Sequence, residues 1–239
     1  DVCSSDLSPR HLTFPAVVRA PARVHQHAYG EVEEIVNEAQ SEIYKVAENR
    51  QSEDYVRLAE IMEHAVDEIE AAGLPVSHHI GETPPKTPCQ NNSVVVGMMV
   101  NVDSFREQFA KYVFSGILDR HPSLKVGWFE GGIAWVPWAL QDAEHLVASY
   151  QHMFNRPLQH DVRYYWDKHM SASFMVDPLG LRLIDQIGVD NVMWSSDYPH
   201  NESTFGYSEK SLKTVVDAVG PEAATKIVST NVKNFLGIA

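Results

Sequence analysis

Four short apolar segments, each followed by a loop and then a helical pattern, constrain the fold of this chain more than any other feature. They are residues 74–80, 124–129, 170–174 and 191–195. Their length and the turn residues around them indicate buried β-strands. Strands that alternate with helices are typical of parallel sheets with right-handed crossover connections. We therefore predict an α/β fold, and periodicity alone leaves open whether the sheet is part of a closed barrel or a small open one.

The helical patterns between these strands set the expected element boundaries. Residues 31–72 predict two helices with a break near residues 49–52, and Gly73 should stop the second. Ser104 is the expected cap of a helix that ends before Pro122. The remaining predicted helices are 138–150, 178–187, 208–219, 222–229 and 232–236. Residues 81–103, with their prolines and asparagines, predict an irregular loop.

Composition excludes several classes of protein. The 19 basic and 32 acidic residues give a net charge of −13, which argues against a nucleic-acid partner. Cys3 and Cys89 lie far apart, so we expect neither a disulfide framework nor a zinc finger, and a reducing cytoplasmic setting fits best. No apolar run approaches the roughly 18 to 20 residues of a membrane span. No glycine-rich phosphate-binding motif follows any strand, which disfavours a nucleotide-binding domain.

Ionisable residues stand at the ends of three of the predicted strands. His78 and His79 end the first, Glu130 ends the second, and Asp197 follows the fourth. The carboxyl ends of parallel strands build the active sites of such folds. An ionisable group there costs desolvation free energy unless it is paired or bound to a metal. Three converging groups favour a cation site, although a lone histidine at a strand end is as often satisfied by a backbone carbonyl.

Three motifs carry a resemblance to a known family. Residues 74–81 (LPVSHHIG), 129–137 (FEGGIAWVP) and 194–202 (WSSDYPHNE) resemble motifs of amidohydrolase-related proteins, and the resemblance runs from about residue 52 to the carboxyl terminus. It implies a (β/α)₈ barrel, of which this chain would hold about the last four βα units after an extra helical segment. We expect residues 31–239 to form this partial domain. Residues 1–30, which begin with Asp1, are expected to be irregular and non-native in part.

The resemblance also implies roles for individual residues. His79 matches the metal-binding histidine of the fifth barrel strand, and Asp197 matches the eighth-strand aspartate, implied to bind metal and to accept a proton from the attacking water. Glu130 stands where many relatives carry a histidine that binds metal or shuttles protons, and it becomes a candidate catalytic residue. His200 is a further catalytic candidate. Besides His78, Glu202 is expected to bind substrate, unless His200 and Glu202 form a hydrogen-bonded loop pair.

The first-strand metal ligands of the family have no clear counterpart in this chain. The resemblance implies a His-x-His or histidine and carboxylate pair there, and the chain contains that spacing only at His25 and His27. These two histidines are either ligands or part of a solvated loop. Predicted helices fill the interval between them and His79, which leaves no room for the second to fourth barrel strands.

The leading hypothesis is a metal-dependent hydrolase in which zinc or manganese lowers the pKa of bound water and polarises a carbonyl of a small-molecule substrate. A decarboxylase of aromatic or unsaturated acids is the close alternative. Arg163, Trp166, Met98 and Met99 would line its pocket, unless they pack in the core. The rival from another class is a catalytically silent α/β domain. A second subunit that completes the barrel would favour the enzyme, so a homo-oligomer is a further expectation.

Overall fold

The computed structural model describes residues 16–17, positions 32, 34, 35, 37 and 38, and residues 52–80 and 93–238. The predictions for His25 and His27, for Cys3 and Cys89, and for most of residues 1–51 lie outside this described part. The five described positions between 32 and 38 are helical, in agreement with the helix expected there.

A five-stranded sheet organises the described residues. Its strands are β1 (Ala16–Val17), β2 (Val76–His79), β3 (Val126–Phe129), β4 (Met170–Phe174) and β5 (Val192–Trp194), and they are ordered as they occur in the chain. Strands β2 to β5 are parallel, whereas β1 pairs with β2 in the antiparallel sense. The predicted α/β fold is thus confirmed, with strands β2, β3 and β5 slightly shorter than expected. The two residues of β1 are too few to produce a periodic pattern, so this strand was not predicted.

Besides the helical positions between 32 and 38, ten helices of the described residues surround this sheet. They are α1 (Ser52–Ala71), α2 (Ser93–Val100), α3 (Asp103–Phe114), α4 (Ile117–Arg120), α5 (Trp135–Tyr150), α6 (Val162–His169), α7 (Pro178–Arg182), α8 (Ile184–Ile187), α9 (Ser208–Thr225) and α10 (Asn231–Leu236). Short 3₁₀ turns cover Gln151–Met153 and Val189–Asn191, and a π-helical turn covers Lys226–Thr230. None of these helices is both long and apolar enough to cross a membrane.

Several helix boundaries differ from the sequence-based expectations. Residues 93–100 form α2 rather than a loop, because the prolines of this segment, together with Asn91 and Asn92, precede residue 93 and the next asparagine, Asn101, follows the helix. Ser104 does not cap α3: its hydroxyl donates to the carbonyl of Asn101 at 2.8 Å, and the helix begins one residue earlier. The single helix expected over residues 178–187 is divided at Leu183, where the backbone leaves helical geometry. Gly73 stops α1 as predicted, with a φ of 66°.

One face of the sheet packs against the helices through a cluster of aromatic rings. Trp128 on β3 stacks with Trp166 on α6 at 6.2 Å between ring centroids, and both side chains are fully buried. The indole N–H of Trp166 donates to the carbonyl of Ile187 at 2.7 Å, and Arg163 donates to the same carbonyl at 3.1 Å. Trp166 therefore packs in the core, which is the second of the two roles considered for it, and both Trp166 and Arg163 bind the end of α8.

The last helix lies at the amino ends of the strands. Asn231 donates to the carbonyls of Val189 and Val192, both at 2.7 Å, where β5 begins. Its neighbour in α10, Phe235, packs against Phe129 of β3 at 5.7 Å between ring centroids. The Asn231 contacts, and that of Lys125, which donates to the carbonyl of Asn234, place α10 near the first residues of β5 and β3, while the ring of Phe235 extends to the last residue of β3.

Candidate functional site at the carboxyl ends of the strands

Three side chains converge beyond the carboxyl ends of β3 and β5. Glu130, Asp197 and His200 each offer one potential metal-ligand atom, and these atoms all lie within 4.8 Å of one another. His79, the last residue of β2, reaches this group through Glu130, with Nε2 2.8 Å from Oε1. The fold thus gathers ionisable groups from three strand ends, as expected for a parallel sheet.

Unusual backbone geometry aims the two carboxylates at the site. Glu130 has a φ of 66° and Asp197 a φ of 56°, which are the described non-glycine residues in the left-handed region. Such conformations cost on the order of 1–3 kcal/mol each and concentrate at functional sites. Alternation along an extended strand predicts that Glu130 lies on the same sheet face as Val126 and Trp128. This prediction is wrong, because the positive φ turns the Glu130 side chain towards His79.

The carboxylate of Asp197 is arranged as a cation ligand would be. Its side chain is 9% exposed, and Oδ2 is buried and accepts no hydrogen bond from any described residue. The Nδ1 atom of His200 stands 4.0 Å away, beyond hydrogen-bonding distance. A buried carboxylate oxygen without a partner is costly unless a cation compensates it. Two carboxylates and an imidazole form a donor set that suits zinc or manganese, so the residues present fit a divalent ion.

The surroundings of Glu130 favour its protonated form. Burial raises the pKa of Glu130, the adjacent Asp197 carboxylate raises it further, and the charge of His79 only partly opposes both effects. His79 itself is held by a contact of 2.8 Å between Nδ1 and the carbonyl oxygen of Ile80. Because a carbonyl only accepts, Nδ1 carries the hydrogen, and Nε2 is the ring atom presented to the site.

His78 points to the other face of the sheet. Its side chain is buried, with Nε2 3.1 Å from the hydroxyl of Tyr112 and the ring stacked on Trp128 at 5.8 Å. Neighbouring strand residues face opposite sides, so His79 at the site places His78 among the helices. This corrects the expectation that His78 binds substrate.

The loop after β5 carries the remaining candidates. His200 and Glu202 are exposed there, and the described contacts include none between them. The same loop carries Tyr198 and Phe205, whose exposed rings lie 5.0 Å apart. Sequence reasoning missed this aromatic pair, although aromatic residues on both sides of His200 were a visible signal. Met98 and Met99, considered as pocket residues, lie largely exposed on α2.

Ser173 was also missed. Its hydroxyl on β4 accepts a hydrogen bond from the backbone N–H of Glu130 at 3.4 Å, and its side chain is buried. Little in the sequence indicates this role, because the hydroxyl of a serine within an apolar strand commonly forms a hydrogen bond with a nearby backbone group.

Comparisons with known proteins agree with this geometry. A family model described as amidohydrolase matches residues 45–238. An amidohydrolase from Mycobacterium avium subsp. paratuberculosis superposes with a TM-score of 0.61 and 19% identity, over 74% of this chain and 46% of that one. A 5-carboxyvanillate decarboxylase from Novosphingobium aromaticivorans, solved with manganese and a nitrobenzoic acid, superposes with a TM-score of 0.62 and 15% identity, over 75% of this chain and 52% of that one. The 2,6-dihydroxybenzoate decarboxylase from Rhizobium superposes with a TM-score of 0.56 and 16% identity, over 74% of this chain and 55% of that one.

The chain spans about half the length of these solved relatives. At identities below 25% the likeness shows the fold, and the fold is that of a partial (β/α)₈ barrel, as predicted. Among curated proteins, a replicative DNA helicase from Leifsonia xyli subsp. xyli is 48% identical over 59 residues, which is 23% of this chain and 13% of the helicase. A match that short assigns no shared function.

Proposed function

The chain belongs to the amidohydrolase family, and on that premise we propose that its protein is a divalent-metal-dependent enzyme that decarboxylates an aromatic or unsaturated carboxylic acid. The observation that carries the proposal is the convergence of Glu130, Asp197 and His200 around a buried carboxylate oxygen that has no partner among the described residues. Solved relatives that are named decarboxylases of dihydroxybenzoate and carboxyvanillate support this choice of reaction.

Asp197, Glu130 and His200 would hold the metal, with His79 adjacent. When bound, a divalent ion supplies positive charge that binds a substrate carboxylate and polarises a neighbouring oxygen. Among the described residues, the ion pairs of Glu130 and Asp197 are formed with histidines alone, so an anionic substrate would be held by the charge of the ion and by these histidines.

The chain's own residues account for the proton that decarboxylation requires. The bond between the substrate carbon and its carboxylate carbon breaks, the electron pair stays on the substrate carbon, and carbon dioxide leaves. A proton must then form the new C–H bond. The imidazole of His79, whose Nε2 faces the site beside Glu130 and whose side chain is partly exposed, is placed to donate it, and solvent afterwards restores the proton.

Hydrolysis is the second candidate, and one observation favours it. The buried Oδ2 of Asp197 can accept a proton from a water molecule that attacks a carbonyl carbon. In that reaction the bond from the carbonyl carbon to the leaving group breaks, and no carbon dioxide is formed.

An assay that measures both carbon dioxide and the products of ester, lactone or amide cleavage separates the two reactions. Purified protein with manganese or zinc is incubated with hydroxybenzoates, methoxylated benzoates and unsaturated diacids, and in parallel with esters, lactones and amides. We expect release of carbon dioxide from an aromatic acid, and its loss in Asp197→Asn. Cleavage of the esters, lactones or amides without carbon dioxide would instead favour the hydrolase. Metal binding with neither activity would contradict both and leave a catalytically silent domain.

A further inference from the structure

A single carboxylate, that of Asp177, connects the loops that follow β3 and β4. Its Oδ1 accepts a hydrogen bond from the backbone N–H of Gly180 at 2.8 Å, which caps α7. Its Oδ2 accepts from the backbone N–H groups of Ile133 and Ala134, at 2.7 and 2.9 Å. These last two N–H groups immediately precede α5, at the positive end of its dipole. Asp177 therefore caps one helix and binds the start of another.

The two loops approach each other at distances that only glycine allows. A Cβ atom on Gly132, which has a φ of 70°, would lie 2.9 Å from Oδ2 of Asp177. A Cβ atom on Gly180 would lie 2.3 Å from Cγ1 of Ile133. The contact is thus a tight fit between two loops as well as a set of hydrogen bonds.

Glu130 lies in the segment that this contact restrains. Ser173 of β4 accepts a hydrogen bond from its backbone N–H, and Asp177 holds the chain three residues later at Ile133. Between these two anchors the backbone passes through the positive φ of Glu130. A strained conformation persists only where its surroundings enforce it.

From this arrangement we infer that Asp177 is a positioning residue, which fixes the turn carrying Glu130 and thereby sets where the Glu130 carboxylate stands relative to Asp197 and His79. The inference rests on the proposed function only for its link to metal binding. The turn and the contact between Glu130 and His79 are formed by the chain's own residues, so both can be tested on protein that has been stripped of metal.

The substitution Asp177→Ser separates the two tasks of this carboxylate. Serine is a good helix cap, so its hydroxyl can still accept the Gly180 N–H, but one short oxygen cannot also reach Ile133 and Ala134. Asp161→Ser is the matched control, because the exposed Asp161 caps α6 through the Tyr164 N–H at 2.7 Å and contacts neither loop. Asp177→Asn, which keeps one oxygen, provides a milder variant if Asp177→Ser fails to fold.

Three measurements test the inference. Deuterium exchange of residues 130–136, followed by mass spectrometry on metal-free protein, should accelerate in Asp177→Ser and remain unchanged in Asp161→Ser. The NMR resonances of the His79 ring should move in the direction produced by Glu130→Gln. Manganese affinity should fall about 10-fold to 100-fold, as for other residues that orient metal ligands.

Each outcome decides a different point. Unchanged exchange at residues 130–136 would overturn the inference. Faster exchange with unchanged His79 resonances would also overturn it, because the turn would then not control Glu130. If the unsubstituted protein binds no manganese, the proposed function fails, while exchange and the His79 resonances still decide the role of Asp177.

Discussion

The imidazole of His79 and the carboxyl group of Glu130 contact each other across adjacent strand ends, with Nε2 2.8 Å from Oε1. Since β2 and β3 pair in parallel with His79 opposite Phe129, this contact also shows that Glu130 has turned out of its strand. The same turn brings Glu130 to Asp197, whose Oδ2 has no hydrogen-bonding partner among the described residues. The site therefore contains one pair that already contact each other, His79 and Glu130. It also contains one buried oxygen, Oδ2 of Asp197, that has no hydrogen-bonding partner among the described residues.

Asp197→Asn should remove metal binding without damaging the fold. Asparagine tolerates the positive φ of this position nearly as well as aspartate does, so the change removes charge and adds little backbone strain. We expect manganese or zinc affinity to fall at least about 10-fold, measured by competition with a chelator. The metal-free variant should unfold at the same temperature as the parent or higher, because a buried carboxylate oxygen without a partner is no longer present.

Asp185→Asn provides the control, since it removes an exposed carboxylate on α8. Its metal affinity should equal that of the parent. Equal metal affinity in Asp197→Asn as well would contradict the assignment of the site.

Substitutions of the two adjacent histidines should have opposite effects. His79→Ala should lower metal affinity and leave stability nearly unchanged, because its side chain is 43% exposed. His78→Ala should lower the free energy of unfolding by about 2–4 kcal/mol, as a cavity opens between Tyr112 and Trp128, and leave metal affinity unchanged. Urea denaturation and metal titration of both variants check this pair of outcomes, and the reverse pattern would show that the two side chains are assigned to the wrong faces.

Much of this arrangement could be predicted from the sequence. Short apolar runs between helical patterns were enough for β2 to β5 and for the parallel sheet, and parallel strands imply that His79, Glu130 and Asp197 end on the same edge. The alternation of side chains along a strand also predicts that His78 and His79 lie on opposite faces of the sheet. Which side belongs to the site depends on where α3 packs, and that is decided by tertiary contacts such as the one from Tyr112 to His78.

The direction of Glu130 could not be predicted in this way. Alternation assumes an extended backbone, and the positive φ that breaks it is enforced by Ser173 and Asp177, which lie more than 40 positions further along the chain. The aspartate before Pro178 reads only as a helix cap in the sequence. Its second task depends on the packing of two loops, which no local pattern encodes.

Gly131→Ala should disturb both stability and the site. A Cβ atom there would lie 2.2 Å from the ring of Phe105, which is fully buried and cannot move aside. Overpacking of this kind costs about 1–3 kcal/mol, and the displaced backbone carries Glu130. Metal affinity should therefore fall together with the unfolding temperature.

Gly73→Ala is the matched comparison for this prediction. Gly73 has a φ of 66°, but a Cβ atom added there would meet nothing within 4 Å, so alanine adds backbone strain far from the site without a steric clash. It should lower the unfolding temperature and leave metal affinity unchanged. A loss of affinity in both variants would show that general destabilisation, rather than displacement of Glu130, weakens the site.

Acid should destabilise the fold through a cluster that joins α1 to the segment before β3. Glu63 accepts hydrogen bonds from Arg120 at 2.6 and 2.9 Å, and this interaction is the main reason that the pKa of Glu63 lies below its ordinary value. Burial alone would raise the pKa of Glu70, but hydrogen bonds from the hydroxyl and backbone N–H of Ser123 outweigh it and lower the pKa. The buried ring of His121 lies between these two carboxylates.

A lowered carboxyl pKa in the folded state means that these interactions stabilise the protein fully above the ordinary glutamate pKa of about 4.3, and that this stability is lost as the pH falls through the lowered values. The buried His169 adds to acid sensitivity, since burial lowers its pKa and protonation then opposes folding.

The contribution of the glutamate cluster is therefore measured by comparing the pH dependence of unfolding between variants. The free energy of unfolding should fall less steeply between about pH 6 and about pH 3.5 in the double variant Glu63→Gln, Glu70→Gln than in the parent. Glu60→Gln, an exposed position on the same helix, should keep the parental slope. Equal slopes in the double variant and the parent would show that this cluster contributes no pH-dependent stability.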